Sequence, residues 1–282
     1  MSYDYQRISS RIDRGVLFAT IDNPPINLMN WELYRELIGF VKEVEGDDEV
    51  RVLVLESANP DFFLAHFDVE ILLQQPIDQP ARYQARNVYH EMCERLRTMP
   101  KATIAKIAGR VGGGGIELAT SCDMRFGALG HTRIVQMEVG LGVLPGGTGT
   151  QLLPRLIGRS RALEVILGGD EIDAETAERW GYLNRALPSD ELDDFVSRLA
   201  LRIASFSPEA VARAKRSVLN AERMPLPEGL REEAYMFEQG MRTDTAQRLM
   251  KRFVEQGGQT PASAVRVAEV VAEVVGVDAD SA

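Results

Sequence analysis

Strand-like and helix-like stretches alternate regularly along the first hundred residues of the chain. Residues 15–21, 50–55 and 102–108 are apolar and rich in β-branched side chains, as buried strands are. Two helical patterns separate them, and their apolar faces consist of Leu33, Leu37, Val41 and Val44 after a capping Asn30, and of Ala85, Tyr89, Met92 and Leu96. Strands alternating with helices predict a parallel sheet with helices packed on it.

After Pro188 the pattern changes and predicts helices only. These helices are expected at about residues 190–204, 208–221, 227–240 and 243–256. Gly257 begins a break, and an Ala/Val-rich tail with the pattern of one more helix follows it. We therefore expect a core of residues 1–189, a helical oligomerisation module of residues 190–257 and a tail of residues 258–282.

Composition and charge argue against several classes of protein. Thirty-two basic and 42 acidic residues give a formal net charge of −10, which disfavours nucleic-acid binding, and we interpret Arg213, Lys215 and Arg216 as an exposed helix face. No apolar run approaches the ~20 residues of a membrane span, and no signal core is visible. Cys93 and Cys122 cannot form a disulfide framework, which favours a reducing, cytoplasmic compartment.

Three segments contain residues suited to chemistry. The glycines at 112–115 follow a strand and lead into a helix, where free N–H groups can stabilise negative charge beside Glu117. Glu138 is a second carboxylate, set among apolar neighbours as an acid–base group can be. Residues 63–68, FLAHFD, form an apolar loop. Each segment taken alone also has an ordinary structural interpretation. The glycines can form a tight turn, Glu138 can be a solvated carboxylate, and residues 63–68 can be a loop that fills the core.

Together these segments resemble the enoyl-CoA hydratase/isomerase, or crotonase, superfamily. FLAHFDV at 63–69 lies over the family loop F-x-A-G-A-D-L, and AGRVGGGGIELATSCD at 108–123 lies over N-G-x-x-x-G-G-G-x-E-L. IVQMEVGLGVLPGGTGT at 134–150 lies over F-x-x-P-E-x-x-x-G-x-x-P-G-x-G-G-T. The resemblance continues in order over about residues 14 to 255.

The resemblance implies a fold, an assembly and a reaction. The fold is an α/β spiral of ββα units with a C-terminal all-helical module, assembled as a homotrimer or a dimer of trimers. The reaction is the hydration of a 2-enoyl-CoA thioester through a stabilised enolate, with coenzyme A as part of the substrate and neither a further cofactor nor a metal. The alternatives are an enoyl-CoA delta isomerase, another crotonase-type acyl-CoA enzyme, or a CoA-binding scaffold without activity.

The resemblance also assigns functional positions. Glu117 and Glu138 fall on the catalytic glutamates, and the backbone N–H groups of Phe67 and Gly114 fall on the oxyanion hole. The implied substrate-binding residues are Ala65, His66, Phe67, Asp68, Gly113, Gly114 and Lys251. The presence of both glutamates favours a hydratase. Pro145, Gly146 and Gly147 stand where the dehalogenase and naphthoyl-CoA synthase branches carry an aspartate, which disfavours those branches.

The chain departs from the family pattern at the oxyanion loop. His66 replaces a glycine, and because histidine tolerates a left-handed backbone we expect the loop to survive the change. Phe67 replaces a small residue, and its ring is expected to narrow or redirect the acyl pocket. Glu70 stands where a lysine that meets the CoA phosphates is common. Lys251 and Arg252 in the helical module are candidates to take over that contact, and the ordinary interpretation of both is a solvated helix face.

Overall fold

The structure is a computed structural model that describes residues 3–78 and 87–276. The strands are β1 (Ile8–Asp13), β2 (Val16–Ile21), β3 (Val52–Ser57), β4 (Phe62–Leu64), β5 (Ala102–Ile107), β6 (Arg110–Gly112), β7 (Met124–Ala128), β8 (Arg133–Val135), β9 (Ile172–Asp173) and β10 (Arg185–Leu187). The helices are α1 (Trp31–Gly46), α2 (Val69–Leu73), α3 (Val88–Thr98), α4 (Gly114–Thr120), the 3₁₀ helix Glu138–Leu141, α5 (Gly149–Ile157), α6 (Arg159–Gly168), α7 (Ala174–Trp180), α8 (Ser189–Ser205), α9 (Pro208–Asn220), α10 (Leu226–Met241), α11 (Asp244–Glu255), α12 (Pro261–Ala264) and α13 (Val267–Val275).

Two sheets share the strands. The first sheet has the order β1-β2-β3-β5-β7-β10, and all its pairs are parallel except β1 with β2. The second sheet has the order β4-β6-β8-β9, with β4, β6 and β8 parallel. From β3 to β8, consecutive strands thus alternate between the two sheets, and helical residues follow each of the pairs β3–β4, β5–β6 and β7–β8. This arrangement confirms the predicted α/β spiral of ββα units.

The first two helices follow the sequence prediction. The Asn30 side chain caps α1 by accepting a hydrogen bond from the Leu33 N–H, and the four predicted apolar residues of α1 are buried. On α3, the predicted Tyr89, Met92 and Leu96 are buried. Ala85, which the pattern assigned to the same helix, lies outside the described residues.

Helix α8 packs against the face of the first sheet that carries Val16 and Phe18. Leu192, Val196 and Ala200 of α8 are buried against strand residues that include Val16 and Phe18. The predicted helices after Pro188 are confirmed as α8, α9, α10 and α11. In the tail, α12 and α13 follow, whereas residues 277–282 lie outside the described residues. The division of the chain at residue 189 stays a prediction.

One part of the charge interpretation is wrong. The Lys215 side chain is only 9% exposed, and its ammonium group lies 2.9 Å from Asp123 Oδ2. The ammonium also donates to the Lys101 carbonyl at 2.8 Å. Lys215 turns inward because α9 packs beside β5, where the half-buried Asp123 carboxylate needs a partner. Across residues 3–78 and 87–276, no helix is long and apolar enough to cross a membrane.

Candidate active site

The three segments singled out in the sequence meet at one edge of the second sheet. Residues 65–68 follow β4, residues 113–117 follow β6, and residues 136–138 follow β8. These three strands are parallel, so their carboxyl ends lie side by side. Ligand sites in such folds form at the carboxyl ends of parallel strands, where loops from several units converge. The topology therefore brings the candidate residues together.

Glu117 lies in the first turn of α4 and is 4% exposed. Its Oε1 accepts hydrogen bonds from three successive backbone N–H groups, those of Gly147 at 2.7 Å, Thr148 at 2.8 Å and Gly149 at 2.9 Å. Burial raises the pKa of Glu117 above its ordinary value, the N–H bonds oppose that rise, and the charge of Glu138 adds to it. Oε1 is thus fully occupied, which leaves Oε2 for exchange of a proton.

Glu138 is half-buried at the start of the 3₁₀ helix. The Gln136 side-chain nitrogen donates to both of its carboxylate oxygens, at 2.9 Å and 3.0 Å. Gln136 is completely buried. Gln136 was not predicted from the sequence, where the available signal was a glutamine two positions before Glu138.

Two unpaired N–H groups lie close together beside the glutamates. Gly114 is the first residue of α4, and a Cβ built on it would lie 3.6 Å from the Phe67 nitrogen. In the described part of the chain, neither the Phe67 N–H nor the Gly114 N–H donates to another residue. Such a pair of donors can stabilise a developing oxyanion.

The oxyanion loop accommodates His66 without a left-handed backbone. Among the described non-glycine residues only Arg14 and Asn27 have a positive φ, so the loop requires no left-handed residue at position 66. The reason is strand-like pairing: Met29 N–H donates to the His66 carbonyl at 2.9 Å, and Asp68 N–H donates to the Met29 carbonyl at 3.1 Å. The His66 ring folds back, with Nδ1 2.9 Å from the Phe67 carbonyl oxygen.

The remaining predicted residues differ in their placement. Ala65 is buried, and its carbonyl lies against Gly112. Asp68 caps α2 by accepting from the Glu70 N–H at 2.9 Å. Lys251 is exposed on α11, 3.7 Å from Glu255 of the same helix. Its role in CoA binding stays a prediction.

Aromatic rings form a wall beside the donors. Tyr34 stacks on Tyr89 with ring centroids 6.0 Å apart, and Phe67 meets Tyr34 edge-on at 5.6 Å. The Tyr89 hydroxyl donates to the Gly114 carbonyl at 2.7 Å. Burial raises the pKa of Tyr89 well above its ordinary value, so the hydroxyl keeps its proton at neutral pH.

A cavity of about 370 Å³ lies at the opposite, amino-terminal edge of the second sheet, lined by Arg110, His131 and Arg133 among others. The lining of this cavity contains no pair of carboxylates beside free N–H donors. We therefore place the active site at the carboxyl edge. Within the described ranges, no three His, Cys, Asp or Glu side chains are grouped closely enough to hold a metal ion.

Comparison with known proteins gives a consistent result. The family model for enoyl-CoA hydratase/isomerase matches residues 11–260. A short-chain-enoyl-CoA hydratase of Clostridium acetobutylicum is 30% identical over 242 residues, covering 86% of this chain and 92% of the relative. The crystal structure of an enoyl-CoA hydratase from Bacillus anthracis has a TM-score of 0.81 at 28% identity, covering 89% of this chain and 97% of that one. The structure of Pseudomonas aeruginosa DspI has a TM-score of 0.80 at 27% identity, covering 90% and 96%.

The matched range thus spans most of the chain and includes the three segments that meet at the carboxyl edge of the second sheet. The chain belongs to the enoyl-CoA hydratase/isomerase family.

Proposed function

We propose that the protein is a 2-enoyl-CoA hydratase that uses Glu117 and Glu138 as its acid–base pair. The observation that carries the proposal is the approach of two carboxylates to one pair of unpaired N–H groups. Hydration requires both features, because a proton must be removed from water, another must be delivered to carbon, and negative charge develops on the thioester oxygen between these events.

The reaction divides among the groups as follows. The thioester carbonyl accepts hydrogen bonds from Phe67 N–H and Gly114 N–H, each of which can stabilise the enolate by about 3 kcal/mol. Water attacks C3 as one glutamate takes its proton, and the π electrons of the double bond move to the thioester oxygen. The enolate then takes a proton at C2 from the other glutamate, and the carbonyl re-forms. The sum is one water added across C2 and C3.

The environment of Glu117 supports the division of roles between the pair. Two neighbouring carboxylates do not both ionise readily. Burial raises the pKa of Glu117 and the charge of Glu138 adds to the rise, while the three backbone N–H bonds oppose it. Glu117 therefore holds a proton to a higher pH than an ordinary glutamate does, which suits a group that exchanges a proton during hydration.

Assembly, cofactor and compartment belong to the same proposal. Coenzyme A enters only as part of the substrate, with Ala65, His66, Asp68, Gly113 and Lys251 at its binding positions. The working form is a homotrimer or a dimer of trimers. A cytoplasmic location is supported by two buried cysteines that are free thiols.

The test measures turnover of a panel of 2-enoyl-CoA thioesters by the loss of the conjugated-thioester absorbance. Glu117→Gln and Glu138→Gln should each lower kcat by about 10²–10⁴-fold with little change in thioester binding, because glutamine keeps the shape but cannot exchange the proton. Glu178→Gln on the exposed surface of α7 is the matched control and should keep wild-type turnover.

Two results would contradict the assignment. If the wild-type protein hydrates no thioester of the panel, it is not a 2-enoyl-CoA hydratase. If Glu117→Gln loses hydration but still moves the double bond, the main activity is isomerisation and Glu138 alone carries it.

A further inference from the structure

His90 contacts the loop that holds Glu117. It lies on α3, immediately after Tyr89, and is half-buried. Its Nε2 is 2.7 Å from the carbonyl oxygen of Gly146, 56 residues further along the chain. A carbonyl oxygen can only accept a hydrogen bond, so Nε2 carries the hydrogen and donates it. His90 therefore fixes the position of that carbonyl.

The bonded carbonyl shares a peptide unit with a Glu117 donor. The Gly146 carbonyl and the Gly147 N–H belong to one planar, trans peptide, whose two polar groups point in opposite directions. On one side the carbonyl accepts from His90, and on the other the N–H donates to Glu117 Oε1 at 2.7 Å. Two hydrogen bonds in series thus connect the imidazole of His90 to the carboxylate of Glu117, and the hydrogen bonds of such a series polarise each other.

We propose that His90 is a positioning residue for Glu117, which it orients through the single peptide unit between Gly146 and Gly147. The inference rests on the proposed hydratase function and deepens it. By fixing that peptide, His90 aims the Gly147 N–H at Oε1, holds the carboxylate in one rotamer and keeps Oε2 directed at the reacting water. His90 itself touches neither water nor substrate in this role.

The titration of Glu117 reports on this arrangement. The titratable groups facing Glu117 are Glu138 from the 3₁₀ helix and Tyr89 and Cys93 from α3. The turn before α5 and the first residue of α5 face it with the backbone N–H groups of residues 147–149. Since the N–H bonds favour the carboxylate form, loosening one of them makes Glu117 hold its proton to a higher pH. A purely structural role for His90 would not move this titration.

The experiment compares His90→Ala, His90→Gln and the wild-type protein. We expect His90→Ala to lower kcat by about 10²-fold with little change in KM, and to move the Glu117 titration to higher pH. Glutamine carries its amide nitrogen at the same number of bonds from the backbone as Nε2 of histidine. His90→Gln should therefore restore both kcat and the titration nearly to wild type.

Two measurements separate this inference from the proposed function. The Glu117 carboxyl group is followed by ¹³C NMR in glutamate-labelled protein, with Glu117→Gln identifying its signal, so the titration is read whether or not the protein turns over. The kinetic effect of His90→Ala should disappear in the Glu117→Gln background, because two residues that act through one group are not additive. His131→Gln, at the opposite edge of the second sheet, is the control.

The inference is overturned if the Glu117 titration of a folded His90→Ala protein matches wild type. It is also overturned if His90→Gln is as impaired as His90→Ala, which would mean that the imidazole itself exchanges a proton. If the wild-type protein shows no turnover but His90→Ala still moves the Glu117 titration to higher pH, the hydratase proposal is rejected and the positioning role of His90 is retained.

Discussion

Gly147 has no room for a side chain. A Cβ on this residue would overlap Glu117 Oε2 and the Tyr89 ring, and it would lie 2.7 Å from Glu117 Cδ. We expect Gly147→Ala to displace the carboxylate, lower kcat by about 10²-fold and reduce the free energy of unfolding by about 1–3 kcal/mol. Steady-state kinetics and denaturant unfolding measure both effects.

The control for this change is Gly229→Ala on α10, where an added Cβ meets nothing within 4 Å. Alanine is the better helix former there, so unfolding should cost about 0.5–1 kcal/mol more and turnover should stay the same. Wild-type kinetics in Gly147→Ala would show that the carboxylate position does not limit the reaction.

The functional residues that lie in local sequence motifs were predicted. Those whose contacts join distant parts of the chain were not. Glu117 and Glu138 sit in recognisable patterns, and the structure brings their segments to one edge. His90 was not identified, because its partner Gly146 lies 56 residues away and no local pattern connects them. The pairing of Met29 with the His66 loop was not predicted either, because it also joins residues that are distant in the sequence.

Between elements, the ion pair of Lys215 with Asp123 ties α9 to the end of α4. The two side chains are 9% and 19% exposed, so removing Lys215 leaves the Asp123 charge uncompensated in a site largely shielded from water. Lys215→Met should therefore lower the free energy of unfolding by about 1–3 kcal/mol, between the values for exposed and fully buried pairs. Lys251→Met is the matched control. Its ammonium group is exposed and, among residues 3–78 and 87–276, pairs only with Glu255 of the same helix, so we expect a change within about 0.5 kcal/mol.

The loss in Lys215→Met should depend on pH. Burial raises the pKa of Asp123 above its ordinary value, while Lys215 and the Thr103 bonds oppose the rise. Without Lys215, the folded protein favours protonated Asp123 more strongly. The difference in free energy of unfolding between wild type and Lys215→Met is therefore largest at neutral pH and becomes smaller as pH falls through the Asp123 pKa. A gap that is independent of pH would assign the loss to packing instead.

Periodicity predicted the helices to within a residue or two, as for α9 and α11, because burial repeats with the helical turn. It did not show that Lys215 faces inward. A lysine on a polar helix is normally solvated, and only the position of Asp123 on another element reverses that expectation.

For the whole molecule, the apolar surface of α10 indicates assembly. The chain buries Leu192 and packs Phe195 and Leu199 against the first sheet, but Phe237 is 68% exposed. Other exposed apolar side chains of this helix are Leu226, Leu230, Tyr235 and Met241. A surface of this kind is typical of an interface. We therefore expect the wild type to sediment as a trimer or a multiple of it.

Phe237→Asp should shift that assembly toward smaller species, since it places a charge in the buried interface. Analytical ultracentrifugation at micromolar concentration distinguishes these states. A wild-type protein that stays monomeric at that concentration would rule out the assembly and leave α10 as an exposed apolar surface.

The bonds that hold Glu117 have a consequence for synthesis of the chain. The carboxylate depends on N–H groups 30 to 32 positions later. A nascent chain that has emerged only as far as Leu144 carries both glutamates and both oxyanion donors, yet the buried carboxylate has none of its three backbone partners. Translation thus produces both glutamates and both oxyanion donors before it produces the turn of residues 147–149 that holds the Glu117 carboxylate. That turn is complete only once residue 149 has left the ribosome.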